Sequence, residues 1–127
     1  MKIEQHEQAL EEHIRNLNKA IDEGIEENQR NIGYNASQGS IELFAVYLHS
    51  LNIVESSGDQ WDHRIFKSKS HIEQKVPAKF SGREKILEFM EAIEKERNAL
   101  CYGKRKPKAR IEKMIDDFQE LRKLVAE

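Results

Sequence analysis

Residues 33–51 read GYNASQGSIELFAVYLHSL, and the way this stretch divides decides the fold. Its second half holds Ile41, Leu43, Phe44, Ala45, Val46, Tyr47, Leu48 and Leu51. Apolar residues on nearly every side of a helical wheel mark a helix surrounded by others, so this one is expected to be central and most buried. The first half, GYNASQGS, is rich in Gly, Asn and Ser, residues that favour turns over helix interiors. It therefore reads as a polar connection. The small residues Ala36, Ser37, Gly39 and Ser40 just before the buried helix would let another backbone approach closely.

Toward the N-terminus, residues 2–31 read as one long helix. Ile3, Leu10, Ile14, Leu17, Ile21 and Ile25 form a narrow apolar stripe, with Ala9 and Ala20 beside it. Such a helix would be ~45 Å long at 1.5 Å per residue. A narrow stripe on so long a rod suggests contact with a partner chain as well as with its own core. Gly33 is the natural stop, as a left-handed C-cap residue.

Toward the C-terminus, residues 54–62 (VESSGDQWD) form the clearest loop. Residues 63–76 are weakly helical, with Ile65, Phe66, Ile72 and Val76 as core anchors and Pro77 as terminator. Ser81-Gly-Arg-Glu84 has the form of a capping box. It opens a helix whose apolar face is Ile86, Leu87, Met90, Ile93 and Leu100. Lys106-Pro107 breaks that helix, and Pro107 suits the first turn of the next. The last helix carries Ile111, Met114, Ile115, Phe118, Leu121 and Leu124. The fold expected is therefore all-α. It is an up-and-down bundle of four main helices, with a shorter helix in the central linker and residues 1–127 in one domain.

Of the 127 residues, 35% are charged and 38% hydrophobic, and the net charge is −2. Residues 1–62 hold 12 acids and 4 bases, whereas residues 63–127 hold 11 acids and 17 bases. This asymmetry gives one face an anion-attracting field, unless acidic and basic helices lie side by side and neutralise each other. Cys101 is the only cysteine, which excludes an intramolecular disulfide and fits a reducing compartment. No stretch approaches the ~18 apolar residues of a membrane span, and the first residues lack an apolar signal core. The expected location is cytoplasmic.

Metal and cofactor chemistry is not indicated. His6 and His13 lie seven apart on the first helix amid Glu7, Glu11 and Glu12, which reads as a solvated face. There is no Glu-x-x-His pair of the di-iron bundle type, and no glycine-rich phosphate loop. Cys101 reads as a small core thiol, since nothing around it suggests an activating base. One segment does suggest chemistry. In Glu96-Arg-Asn-Ala-Leu-Cys-Tyr-Gly-Lys-Arg-Lys-Pro-Lys-Ala-Arg110, five of the seven residues from Lys104 to Arg110 are basic. Lys104, Arg105, Lys106, Lys108 and Arg110 sit at a helix–helix turn, where flexible cations can meet phosphates without being buried. Arg97 precedes them by two turns on a partly apolar face. Its planar fork suits bidentate binding of a phosphate or carboxylate. The plainer alternative is that Arg97 pairs with Glu94 or with a glutamate of the first helix, and that the basic turn serves solubility.

The run Glu96-Arg97-Asn98-Ala99-Leu100-Cys101-Tyr102-Gly103, late in the third main helix, resembles the signature of the HEPN family: an arginine, often followed by asparagine, with a histidine four to six residues on. The segment from Ser40 to Leu51 resembles the buried second helix of that fold. The resemblance implies a homodimeric bundle that binds RNA or a nucleotide in a cleft around Arg97. It also implies either metal-independent ribonuclease activity or a role as partner of a nucleotidyltransferase in a toxin–antitoxin-type system. On this resemblance Arg97, Asn98 and Tyr102 are the catalytic candidates, with Arg97 holding the phosphate and stabilising charge in the transition state. The chain departs from the pattern at Tyr102, which stands where histidine is expected. A phenol with a reference pKa near 10 is a poor general base at neutral pH. His63 and Arg64, in the linker, are further candidates that would have to fold back to supply an imidazole. An interaction module without catalysis, pairing through its acidic first helix, is the alternative class.

Overall fold

The computed structural model describes residues 2–52, 66, 69–75 and 79–126. It is all-α, with no strand among the described residues. Five helices follow in order: α1 (Ile3–Glu23), α2 (Gln29–Ser50), α3 (Lys69–Lys75), α4 (Arg83–Cys101) and α5 (Lys108–Ala126). The four long ones pack as a bundle, and α3 is the short helix of the central linker. A single cluster of buried side chains joins them, with Leu17 from α1, Ile32, Phe44 and Leu48 from α2, Ile72 from α3, Ile86 and Leu100 from α4, and Ile111 and Phe118 from α5. Phe66 is 1% exposed and meets Phe44 edge-on, 5.6 Å between ring centres. Ile65, Val76 and Pro77 lie outside the described residues.

The central helix is longer than its apolar half indicates. Thirteen of the 22 residues of α2 are buried, among them Gly33, Asn35, Ala36, Ser37, Gly39 and Ser40. The stretch read as a polar connection is helix, and Gly33 lies inside it rather than stopping α1. The stop is Gly24, whose φ of +135° is strained for any residue with a Cβ. Its N–H closes α1 on the carbonyls of Ala20 (3.1 Å) and Ile21 (3.3 Å). With 21 residues, α1 is therefore only ~31 Å long.

Small side chains are tolerated in α2 because neighbouring helices need the space. A Cβ added at Gly33 would stand 2.7 Å from the Cβ of Leu100, and one at Gly39 would stand 3.2 Å from the ring of Phe118. Gly33 lies near the start of α2 and Leu100 near the end of α4, so these two helices run antiparallel. Ser40 returns its hydroxyl to the Ala36 carbonyl at 2.7 Å, which satisfies it inside the core.

Two further expectations are corrected. The first residue of α4 is Arg83, and its N-cap is Gly82, without a side-chain cap, rather than Ser81. The preceding turn is set by packing: Phe80 meets Tyr47 at 5.8 Å and Phe44 at 6.4 Å, and the Tyr47 hydroxyl donates to the Ser81 carbonyl at 3.5 Å. His6 and His13 do not form a solvated face. They lie on the line of Leu17 and Ala20, which faces α2, so His6 is buried and His13 half-buried. Pro107 falls one residue before α5, where its carbonyl accepts from Arg110 (3.0 Å) and Ile111 (3.4 Å).

Replacing Gly33 by alanine tests the close α2–α4 approach. Alanine gains about 1 kcal/mol in helix propensity, but the Leu100 Cβ belongs to a packed backbone region that cannot swing away. Urea denaturation of Gly33→Ala is expected to show a net loss of about 1–3 kcal/mol. Gly39→Ala meets the tip of a ring instead, and is expected to change stability by less than about 1 kcal/mol.

Candidate functional site

The Arg97 segment lies in the last two turns of α4. Ile86, Met90, Ile93 and Leu100 point into the bundle, and at 100° per residue Arg97 falls among them rather than beside them. It is 8% exposed. A guanidinium stays charged under all ordinary conditions, so burying it carries a desolvation cost that must be repaid by hydrogen bonds or a counter-charge. Its Nε is buried with no hydrogen-bond partner. Buried Glu94, one turn back, and half-buried Cys101, one turn on, flank the same side of α4.

Cys101 feels these neighbours. Burial raises its thiol pKa, Arg97 and Arg30 pull it down, and Glu94 pushes it up, with a net rise. At neutral pH the group is a thiol, which suits packing against Gly33 rather than nucleophilic attack.

Asn98 and Tyr102 lie elsewhere. They are one turn apart on the outer side of α4, where Tyr102 is 64% exposed and Asn98 is exposed too. Tyr102 leaves the helix in an extended conformation, its N–H held by the Asn98 carbonyl at 3.0 Å. Thus Asn98 and Tyr102 share a face, and Arg97 points away from both. His63 and Arg64 lie outside the described residues.

The basic turn is more ordered than its composition suggests, and one residue holds it. Gln29, the first residue of α2, is fully buried. Its Nε2 donates to the carbonyls of Leu100 and Lys104, both at 3.2 Å, and its Oε1 accepts from the Lys106 N–H at 2.7 Å. Arg30 adds a bond to the Gly103 carbonyl at 3.1 Å, and Arg105 donates to the Glu26 carbonyl. Nothing in the sequence singles out Gln29. A glutamine in a polar run becomes a clamp only once α2 is known to begin there and to lie against the end of α4.

The five cations of the turn differ in what they face. Arg110 binds Glu96 through two bonds, at 2.8 and 3.1 Å. Arg105 and Lys106 line a groove of about 260 Å³ with Glu26 and Glu27, so their field is partly offset. Lys104 and Lys108 are exposed and form no ion pair among the described residues. No group of three or more His, Cys, Asp or Glu side chains among the described residues is placed to hold a metal ion. No described helix is long and apolar enough to cross a membrane. Compared with known protein families, with curated proteins and with solved structures, the chain matches none.

The clamp can be tested on its own. Gln29→Ala strands the Leu100 carbonyl and the Lys106 N–H, so a loss of about 2–4 kcal/mol in unfolding free energy is expected. Amide exchange at Lys106 is expected to accelerate in step. Unchanged exchange there would show that the turn holds itself.

Proposed function

We propose that this protein is a HEPN-like helical bundle that binds a phosphate-bearing ligand, RNA or a nucleotide. Arg97 is the inner contact, and the lysines of the α4–α5 turn supply the outer field. The observation that carries the reading is the buried, unpartnered Nε of Arg97. An orphaned charged donor of this kind costs about 1–3 kcal/mol or more unless an acceptor arrives. A phosphate oxygen meets that need and accepts the fork geometry of arginine. Gly33 keeps the side of α2 that faces Leu100 and Cys101 small. The Gln29 clamp supports the same reading, because it presents Lys104 and Lys108 from a fixed backbone, lowering the ordering cost of binding.

The proposal is of binding rather than cleavage. A general acid or base must reach the reacting proton within hydrogen-bond distance, and Tyr102 stands on the exposed side while Arg97 is enclosed. Homodimerisation, which the family resemblance implies, finds support in a different place. An apolar groove of about 510 Å³ runs between α1, α2 and α5, lined by Leu10, Ile14, Leu43, Val46, Tyr47 and Val125 among others. That groove also favours the alternative class, an interaction module, in which the surface acts without any nucleic acid.

Fluorescence anisotropy with a short single-stranded RNA, repeated across a salt series, separates the two. Binding is expected at low ionic strength, with affinity falling as salt rises. Lys104→Gln with Lys108→Gln should flatten the log–log salt slope by about 1–2. Arg97→Ala is expected to weaken binding by about tenfold or more at every salt concentration. Undetectable binding at low salt would favour the interaction module, and binding indifferent to Arg97 would contradict its place as the inner contact.

A further inference from the structure

The opposite end of the bundle holds a cluster that no part of the phosphate reading uses. His6, in the first turn of α1, is 1% exposed. Its Nδ1 lies 2.5 Å from Oε2 of Glu42 on α2, and its Nε2 is buried with no partner. His49, two turns beyond Glu42 on the same side of α2, places its ring centre 5.4 Å from that of His6, tilted by 41°. Two imidazoles and one carboxylate thus share the seam between the start of α1 and the end of α2.

We propose that His6, Glu42 and His49 form a proton-operated latch: one positive charge among the two rings holds the start of α1 on α2, and a second charge releases it. One imidazolium can be balanced by Glu42, the only carboxylate bonded to the cluster among the described residues. A second, 5.4 Å away, would face repulsion in a partly desolvated seam. The surrounding charges do not relieve it. Glu4 on α1 acts favourably on His49, but the chain's amino terminus opposes it. On α5, the cations Arg122 and Lys123 line the adjoining apolar groove.

The titration of His49 runs in the required direction. Burial is the main cause that lowers its pKa below 6.5, and His6 lowers it further. A depressed histidine binds fewer protons folded than unfolded, so its native form is favoured above the unfolded pKa. That advantage is lost as pH falls below about 6.5. The opening is local because the other ties of α1 to α2 lie further along it: His13 meets the Asn35 side chain at 2.9 Å and the Tyr34 ring edge-on at 5.8 Å. Its fully buried residues are His6, Leu17 and Ala20, and the last two lie in its second half. Leu10 and Ile14 are only partly buried. Release would widen the apolar groove at Leu10.

Amide exchange on the full chain, corrected for intrinsic rates, tests the latch. Between about pH 7.5 and about pH 5, protection in residues 3–10 is expected to fall by about tenfold or more, while α4 changes less than about threefold. His49→Gln should keep the neutral-pH protection and abolish the acid loss. An equal acid loss in His49→Gln, or a loss spread evenly over α4, would overturn the proposal. A second measurement needs no variant. The His49 ring resonance in unmodified protein must titrate with the same midpoint as the opening of α1, and midpoints more than about one pH unit apart would also overturn it.

Discussion

The contact on which the rest of the molecule depends is the approach of α2 to α4 at Gly33. A hydrogen in place of a methyl lets the Leu100 Cβ and the Cys101 sulfur occupy space that a side chain would otherwise take. Because the helices meet this closely, the first turn of α2 comes within hydrogen-bond reach of the end of α4. Gln29 then fixes the turn to α5, and Arg97 is enclosed about one turn back along α4. The positions of the basic turn and of the buried guanidinium are thus two results of one steric fact. Both would relax together if the helices moved apart.

A buried arginine without a partner for Nε is an energetic conflict, because a buried donor left unsatisfied carries its full desolvation cost. The bundle resolves similar conflicts elsewhere. Ser40 returns its hydroxyl to a carbonyl one turn back, and Asn35 donates to the Asn31 carbonyl at 2.8 Å while its oxygen meets His13 at 2.9 Å. The two buried side-chain nitrogens left unpartnered among the described residues are His6 Nε2 and Arg97 Nε. They stand at opposite ends of the bundle, and each is the starting point of a functional proposal.

Much of the fold was legible in the residues. Helices α4 and α5 follow from apolar spacing, and the buried character of α2 follows from Ile41 to Leu48. The start of α2 was not legible, because Gly33, Asn35, Ser37, Gly39 and Ser40 disfavour helix when judged locally. They are helical here because burial between α1, α4 and α5 rewards small side chains more than propensity penalises them. Gly24 was passed over for the mirror-image reason: its backbone freedom is needed, yet it sits within an otherwise periodic helical pattern. The basic turn could be found by charge count, but which of its cations are offset could not, since Glu26, Glu27 and Glu96 come from other parts of the chain. Arg97 drew notice as an arginine on an apolar face. Its separation from Asn98 and Tyr102 follows from helical geometry once the buried face of α4 is fixed.

On the proposed reading, Arg97 waits for an anion from outside the fold. The most direct measurement is the Arg97 side-chain Nε–H resonance in nitrogen-15 NMR, followed while a nucleotide or short RNA is added. This one signal is expected to shift and to become protected from solvent exchange as ligand saturates, ahead of the surface arginines Arg105 and Arg110. If Arg97 stays fixed while only the signals of the basic turn move, the bound anion never reaches it, and the buried guanidinium is part of the scaffold.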